Sequence, residues 1–183
     1  MKITHTFQFT LVLKNVNENT PELEDTLYEA GCDDALIQYR NGAVYLDFDR
    51  EASSLEEAVV SAIKDVKSVP IIIDVASVAP ENLVTESEIA KRLNKSRQIV
   101  SLWIKGERRG SFPHPIMRLS EKSPLWSWHE VTQWLYSNNI IDDANIVENA
   151  LFILNINAAL EERDKKTRDT RHRLLEEIGF NHL

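Results

Sequence analysis

Between Asn94 and Pro115 the chain reads NKSRQIVSLWIKGERRGSFPHP, a cation-rich stretch in a protein whose formal net charge is −8. Lys95, Arg97, Lys105, Arg108 and Arg109 supply positive charge, while Ser96, Gln98 and Ser101 supply neutral donors and acceptors. A guanidinium fork matches guanine O6 and N7, and a carboxamide can both donate to and accept from adenine. Serine and lysine more often hold phosphate oxygens. These residue types suit contact with double-stranded DNA, with Arg97 and Gln98 placed for bases and Ser101 and Lys105 for the backbone.

To act together these side chains need one helix face, and the surrounding peptide VTESEIAKRLNKSRQIVSLWIKGE predicts it. Thr85 and Glu88 have the spacing of a capping box for a first short helix, which buries Ile89, Ala90 and Leu93. Asn94 ends that helix, because asparagine tolerates the left-handed backbone that a tight turn requires. Ser96 can cap a second helix, with Ile99, Val100 and Trp103 turned inward. The spacing is that of a helix-turn-helix, whose second helix (96–105) presents its N-terminal part to the major groove. A polar-faced helical hairpin with no DNA role fits the same two-helix pattern.

The segment that follows is RRGSFPHPIMRLSEKSPLWSWHEVTQWLYSN. Pro113 and Pro115 impose extended backbone. Ser120–Pro124 is turn material between two strand-like runs, and Ser127 with Glu130 repeats the capping-box spacing. Trp103, Phe112, Trp126, Val131, Trp134 and Leu135 could form a small aromatic core. Over residues 83–137 the ordered set of Trp103, Phe112-Pro113-His114-Pro115, a wing and a closing helix ending at Trp134-Leu135 resembles the AlpA-like and excisionase-type winged helix-turn-helix proteins, relatives of the MerR regulators. The resemblance implies a wing beside the recognition helix, with Arg118 and Lys122 at phosphate or in the minor groove. The segment Glu107–Ser111 lengthens the loop before Phe112 and adds Arg108 and Arg109.

Charge is partitioned to match. Residues 1–80 carry 6 Lys/Arg against 14 Asp/Glu, residues 81–140 carry 9 against 6, and residues 141–183 carry 6 against 9. The middle segment alone is positive, and the local field governs contact with phosphate.

In residues 1–80, Phe7, Phe9, Leu11 and Leu13 alternate as in a half-buried strand. Thr20, Pro21 and Gly31 read as the N-cap, first position and stop of a helix. Asn41-Gly42 between strand-forming runs signals a hairpin. Ser54 and Glu57 begin a second helix with an apolar stripe of Leu55, Val59, Ala62, Ile63 and Val66, and PIIIDVASV reads as a last strand. The order βαββαβ predicts a ferredoxin-like sandwich, so the whole chain is expected to be α+β: residues 1–80, a winged helix-turn-helix domain at 81–140, and a helical tail at 141–183. That sandwich carries no function by itself.

Asp33, Asp34, Asp47 and Asp49 read as solvated charge rather than a metal cluster. Cys32, beside two acids that raise its pKa, is a poor nucleophile. His5, His114 and His129 lack partners for a metal, and no phosphate loop or nucleophile arrangement appears, so no cofactor and no enzyme activity is expected. A lone cysteine, the absence of a signal-peptide pattern and the lack of an 18-residue apolar run point to a cytoplasmic protein without a membrane partner.

The tail, residues 141–183, suggests a helix or helices. Ile146, Ala150, Ile153 or Leu154, and Asn157 share one side, and acids stand four residues before bases in Glu161–Lys165, Glu162–Lys166, Asp164–Arg168 and Asp169–Arg173. Its apolar half either packs on the chain itself or pairs two protomers. The sequence thus points to a prokaryotic or phage-type transcriptional regulator. An excisionase-like architectural protein, or an antitoxin-like adaptor acting through the acidic N-terminal domain, is the alternative. That domain could also take a protein or small-molecule partner.

Overall fold

Two periodicities, near 2.0 and 3.6 residues, decide which side chains are buried, and the computed structural model, which describes residues 4–163 and 165–180, builds two separate cores from them. The described residues form a mixed α+β fold with two sheets and seven helices. They divide into two compact units, Met1–Pro80 with Asn155–Leu183, and Glu81–Leu154.

The first unit contains β1 (His5–Lys14), α1 (Leu23–Glu29), β2 (Ala35–Arg40), β3 (Ala43–Ala52), α2 (Leu55–Ser68) and β4 (Asp74–Ala79). The sheet order is β2-β3-β1-β4, with every neighbour antiparallel. Phe9, Leu11, Leu13, Val44, Leu46 and Phe48 alternate inward and are buried. Phe9 and Phe48 stand opposite each other and stack at 5.0 Å. Burying such side chains is worth about 1.5–3 kcal/mol each, so this face drives assembly of the sheet. It packs beneath Leu55, Ala58, Val59, Ala62 and Val66 of α2, while Leu23 and Leu27 of α1 are also buried. Asn41 and Gly42 both adopt positive φ, 53° and 78°, the type I′ geometry that matches the twist of a two-residue hairpin.

Three local expectations for this unit change. The first helix starts at Leu23, not Pro21, because the Thr20 hydroxyl accepts from the Asn17 N–H (3.0 Å) and its own N–H returns to the Asn17 carbonyl (3.0 Å). Thr20 is therefore spent in a turn before the helix. The last strand starts at Asp74, leaving Ile71–Ile73 as a linker of which only Ile73 is buried. Asp34 is not simply solvated. Arg50, only 7% exposed, donates to Asp34 through Nε (2.8 Å) and Nη2 (2.9 Å), to Asp65 (2.7 Å) and Ser61 (3.1 Å) through Nη1, and to the Gly31 carbonyl (2.7 Å). All five guanidinium donors are occupied. Asp47 and Asp49 do share the open face, where they accept from Thr10 (2.6 Å) and Gln8 (2.7 Å). Cys32 is buried, and burial first, with Asp65, Asp34 and Asp33 adding, pushes its thiol up to about 11.

The second unit has β5 (Leu83–Val84), α3 (Glu86–Arg92), α4 (Arg97–Ile104), β6 (Trp126–Ser127) and α5 (Trp128–Ser137). β5 pairs with β6, and the wing segment contributes a single bridge, Met117 to Leu125. The expected core is assembled: Val84, Ile89, Ala90, Val100, Trp103, Phe112, Trp126, Val131, Trp134 and Leu135 are buried together. Trp134 packs against Trp103 at 5.7 Å and takes Phe112 edge-on at 4.9 Å.

The tail forms two helices, α6 (Ala144–Glu162) and α7 (Lys165–Glu177). Glu161 and Glu162 pair with Arg171 of α7 (2.5 and 3.3 Å) instead of with Lys165 and Lys166, because α7 folds back. Arg173 pairs with Glu177. The Asp164–Arg168 pair lies outside the described residues. Asn157 of α6 bonds both backbone groups of Val78, accepting from its N–H (2.7 Å) and donating to its carbonyl (2.9 Å), and Arg163 meets Asp74 at 3.4 Å. This part of the tail packs on its own chain. No helix among the described residues is long and apolar enough to cross a membrane.

Candidate nucleic-acid interface

The interface candidates sit on a framework of capped helices. The Thr85 hydroxyl accepts from Glu88 N–H (3.3 Å), and the Glu88 carboxylate accepts from Thr85 N–H (2.6 Å), closing the capping box. That backbone donor holds the Glu88 carboxyl below its ordinary range. At the other end of α3, Asn94 has φ 50°. Its N–H bonds the Lys91 carbonyl (3.1 Å) and Lys95 N–H bonds the Ala90 carbonyl (2.9 Å), a Schellman closure. The backbone thus turns within three residues, and Ser96 caps α4 by accepting from Ile99 N–H at 3.4 Å.

With Val100 and Trp103 buried, the opposite face of α4 is fixed by geometry. Lys95, Ser96, Arg97, Gln98 and Lys105 are exposed and Ser101 is half-buried. Among the described residues, the side chains of Lys95, Arg97, Gln98 and Lys105 make no hydrogen bond or ion pair, so this face is cationic and uncommitted.

The remaining candidates differ in their commitments. Arg108 and Lys122 are exposed and unpaired among the described residues. Arg118, in the wing segment at φ 55°, lies 3.9 Å from Glu121. Arg109 donates to the Asn138 carbonyl at the end of α5, which ties down the lengthened loop. Trp134 Nε1 bonds the Gly110 carbonyl (3.2 Å) and Trp126 Nε1 bonds the Pro113 carbonyl (3.1 Å), so the loop and Phe-Pro element also satisfy the indoles of the core.

Two features escaped the sequence reading. Arg92 lies 5.0 Å over the Trp128 ring and donates to the Glu81 carbonyl (2.9 Å), and burial lowers its pKa. The wing segment exposes Ile116, Met117 and Leu119 around Arg118. Among the described residues no three His, Cys, Asp or Glu side chains are grouped to hold a metal ion. This chain matches no protein-family model, no curated protein and no solved structure.

Proposed function

We propose that residues 83–137 form a winged helix-turn-helix domain of the AlpA-like and excisionase type, and that the protein is a sequence-specific DNA-binding transcriptional regulator. The observation that carries this reading is the outer face of α4. Arg97, Gln98, Ser101 and Lys105 occupy it, held by an Asn94 turn at one end and the Val100–Trp103 anchor beneath. In this reading Arg97 and Gln98 meet base edges and Lys95, Ser101, Lys105, Arg108, Arg118 and Lys122 meet phosphate. The first unit is proposed to be a ferredoxin-like sandwich, a reading supported by its strand order. It takes no part in catalysis, and the protein acts by occupying its site.

Selection from a random duplex library tests the proposal. The full chain enriches a defined motif, and Arg97→Ala or Gln98→Ala loses about 1–3 kcal/mol of discrimination at its own base position. Absence of an enriched motif, or double-variant binding with unchanged preference, overturns it. One observation favours the architectural alternative: Ile116, Met117 and Leu119 are exposed in the wing, and apolar wedges in the minor groove kink DNA. Circular-permutation bending assays on the enriched site separate the two, since the architectural role requires a large bend.

A further inference from the structure

The four-stranded sheet ends in two strands that are not equivalent. The outer edge of β4 is occupied where the Asn157 carboxamide takes both backbone groups of Val78. Among the described residues nothing pairs with the outer edge of β2. Arg40 and Ala43 flank the two-residue turn and so exchange hydrogen bonds, and Asp49 N–H meets the Asp34 carbonyl in the same phase (3.1 Å). Leu36 and Gln38 therefore direct their backbone groups to β3, and Ala35, Ile37 and Tyr39 direct theirs outward. The Ala35 N–H closes on the Cys32 carbonyl (3.1 Å), which leaves the N–H groups of Ile37 and Tyr39 and three carbonyls.

This edge lacks the usual protections, having no proline, lysine or bulge. Leu36 on the open face is 63% exposed. Glu24 of α1 accepts from the Tyr39 hydroxyl, and Tyr28, one turn further along the same side of α1, is 65% exposed.

We propose that the β2 edge pairs antiparallel with the β2 edge of a second copy, joining two four-stranded sheets into one through a two-fold axis. Two registers match outward groups with outward groups over the full strand, each making four backbone bonds. Centring on Gln38 sets Arg40 against Leu36 of the second copy. Centring on Ile37 instead sets Arg40, which lies beside Gln38, opposite the Asp33–Asp34 turn of the second copy, and does so twice by symmetry. There Asp34 is already held by Arg50, and the exposed Asp33 supplies the acid. Charge complementarity selects the Ile37 register. A slip of one residue would oppose outward groups with groups already bonded to β3. The pairing does not depend on the DNA-binding reading.

Sedimentation velocity of the full chain without DNA, up to about 200 µM, tests the pairing together with hydrogen exchange. The chain dimerises, and the Ile37 and Tyr39 amides exchange freely when dilute and become protected as the dimer forms. Arg40→Glu, which opposes like charges, weakens the dimer by about tenfold or more with an unchanged thermal melt. A chain that stays monomeric across the range overturns the proposal. So does a dimer whose Ile37 and Tyr39 amides remain unprotected, or one indifferent to Arg40→Glu.

Discussion

In the proposed DNA-binding reading, raising salt from about 50 to about 200 mM makes the interface countable, because each neutralised phosphate releases condensed counterions with a log–log slope of about −0.9. The structure supplies the count. Among the described residues, Lys95, Lys105, Arg108 and Lys122 are exposed and uncommitted, and Arg118 is held only by a 3.9 Å approach to Glu121. Arg97 is assigned to a base, and Arg109 is left out of the count because one of its nitrogens donates to the Asn138 carbonyl. Five cationic phosphate contacts per copy, the neutral Ser101 not counting, give a slope of about −4.5, or about 500-fold weaker binding across a fourfold rise in salt. Fluorescence anisotropy on an enriched duplex, referred to the slope per half-site, measures it. Lys105→Ala and Lys122→Ala each flatten the slope by about 0.9, whereas Arg109→Ala leaves it nearly unchanged. A slope shallower than about −2, or an Arg109→Ala effect equal to that of Lys105→Ala, refutes the assignment.

Two further outcomes concern the first unit. Arg50→Met strands Asp34 and Asp65; each carboxylate side chain keeps about a third of its exposure and rehydrates, so the loss falls below the ~3–5 kcal/mol of a fully buried broken pair, at about 2 kcal/mol. Urea unfolding followed by circular dichroism reads this, and Arg50→Lys, which cannot fork, recovers little of it; a change under about 0.5 kcal/mol in Arg50→Met contradicts the role assigned to the network. Cys32 has a folded pKa raised to about 11, so the folded state keeps its proton where the unfolded thiol has lost it. Its contribution to stability is complete below the ordinary thiol pKa and is lost as pH rises towards about 11. Wild type minus Cys32→Ala across pH 7–10.5, by the same unfolding assay, checks the sign.

Local signals were the legible ones. Asn41-Gly42, Thr85 with Glu88, Asn94 and Ser96 each act within a few residues, and each has the backbone geometry its side chain favours. The core of the second unit was legible too, because the tryptophans and Phe112 are the largest apolar groups in a short segment. Thr20 misled because its hydroxyl serves a turn as readily as a cap. Arg50 stands in phase with Val44, Leu46 and Phe48, so its parity pointed inward, but only tertiary structure brings Asp65 to it. The partners of Glu161 and Glu162 were hidden for a similar reason: the i,i+4 charge pattern assumes an unbroken helix, whereas Arg171 reaches both from α7. The partners of a surface are equally invisible in local sequence, as the apolar wing and the open β2 edge show.

The Asn157 carboxamide has a consequence for assembly size. A sheet open at both ends is a bifunctional monomer, able to join at β2 on one side and at β4 on the other, and such units polymerise into filaments without limit. By occupying Val78, Asn157 obstructs the β4 end as a chain stopper supplied by the protein's own helix, and in the proposed pairing it leaves β2 as the free edge. In the proposed pairing growth then ends at two.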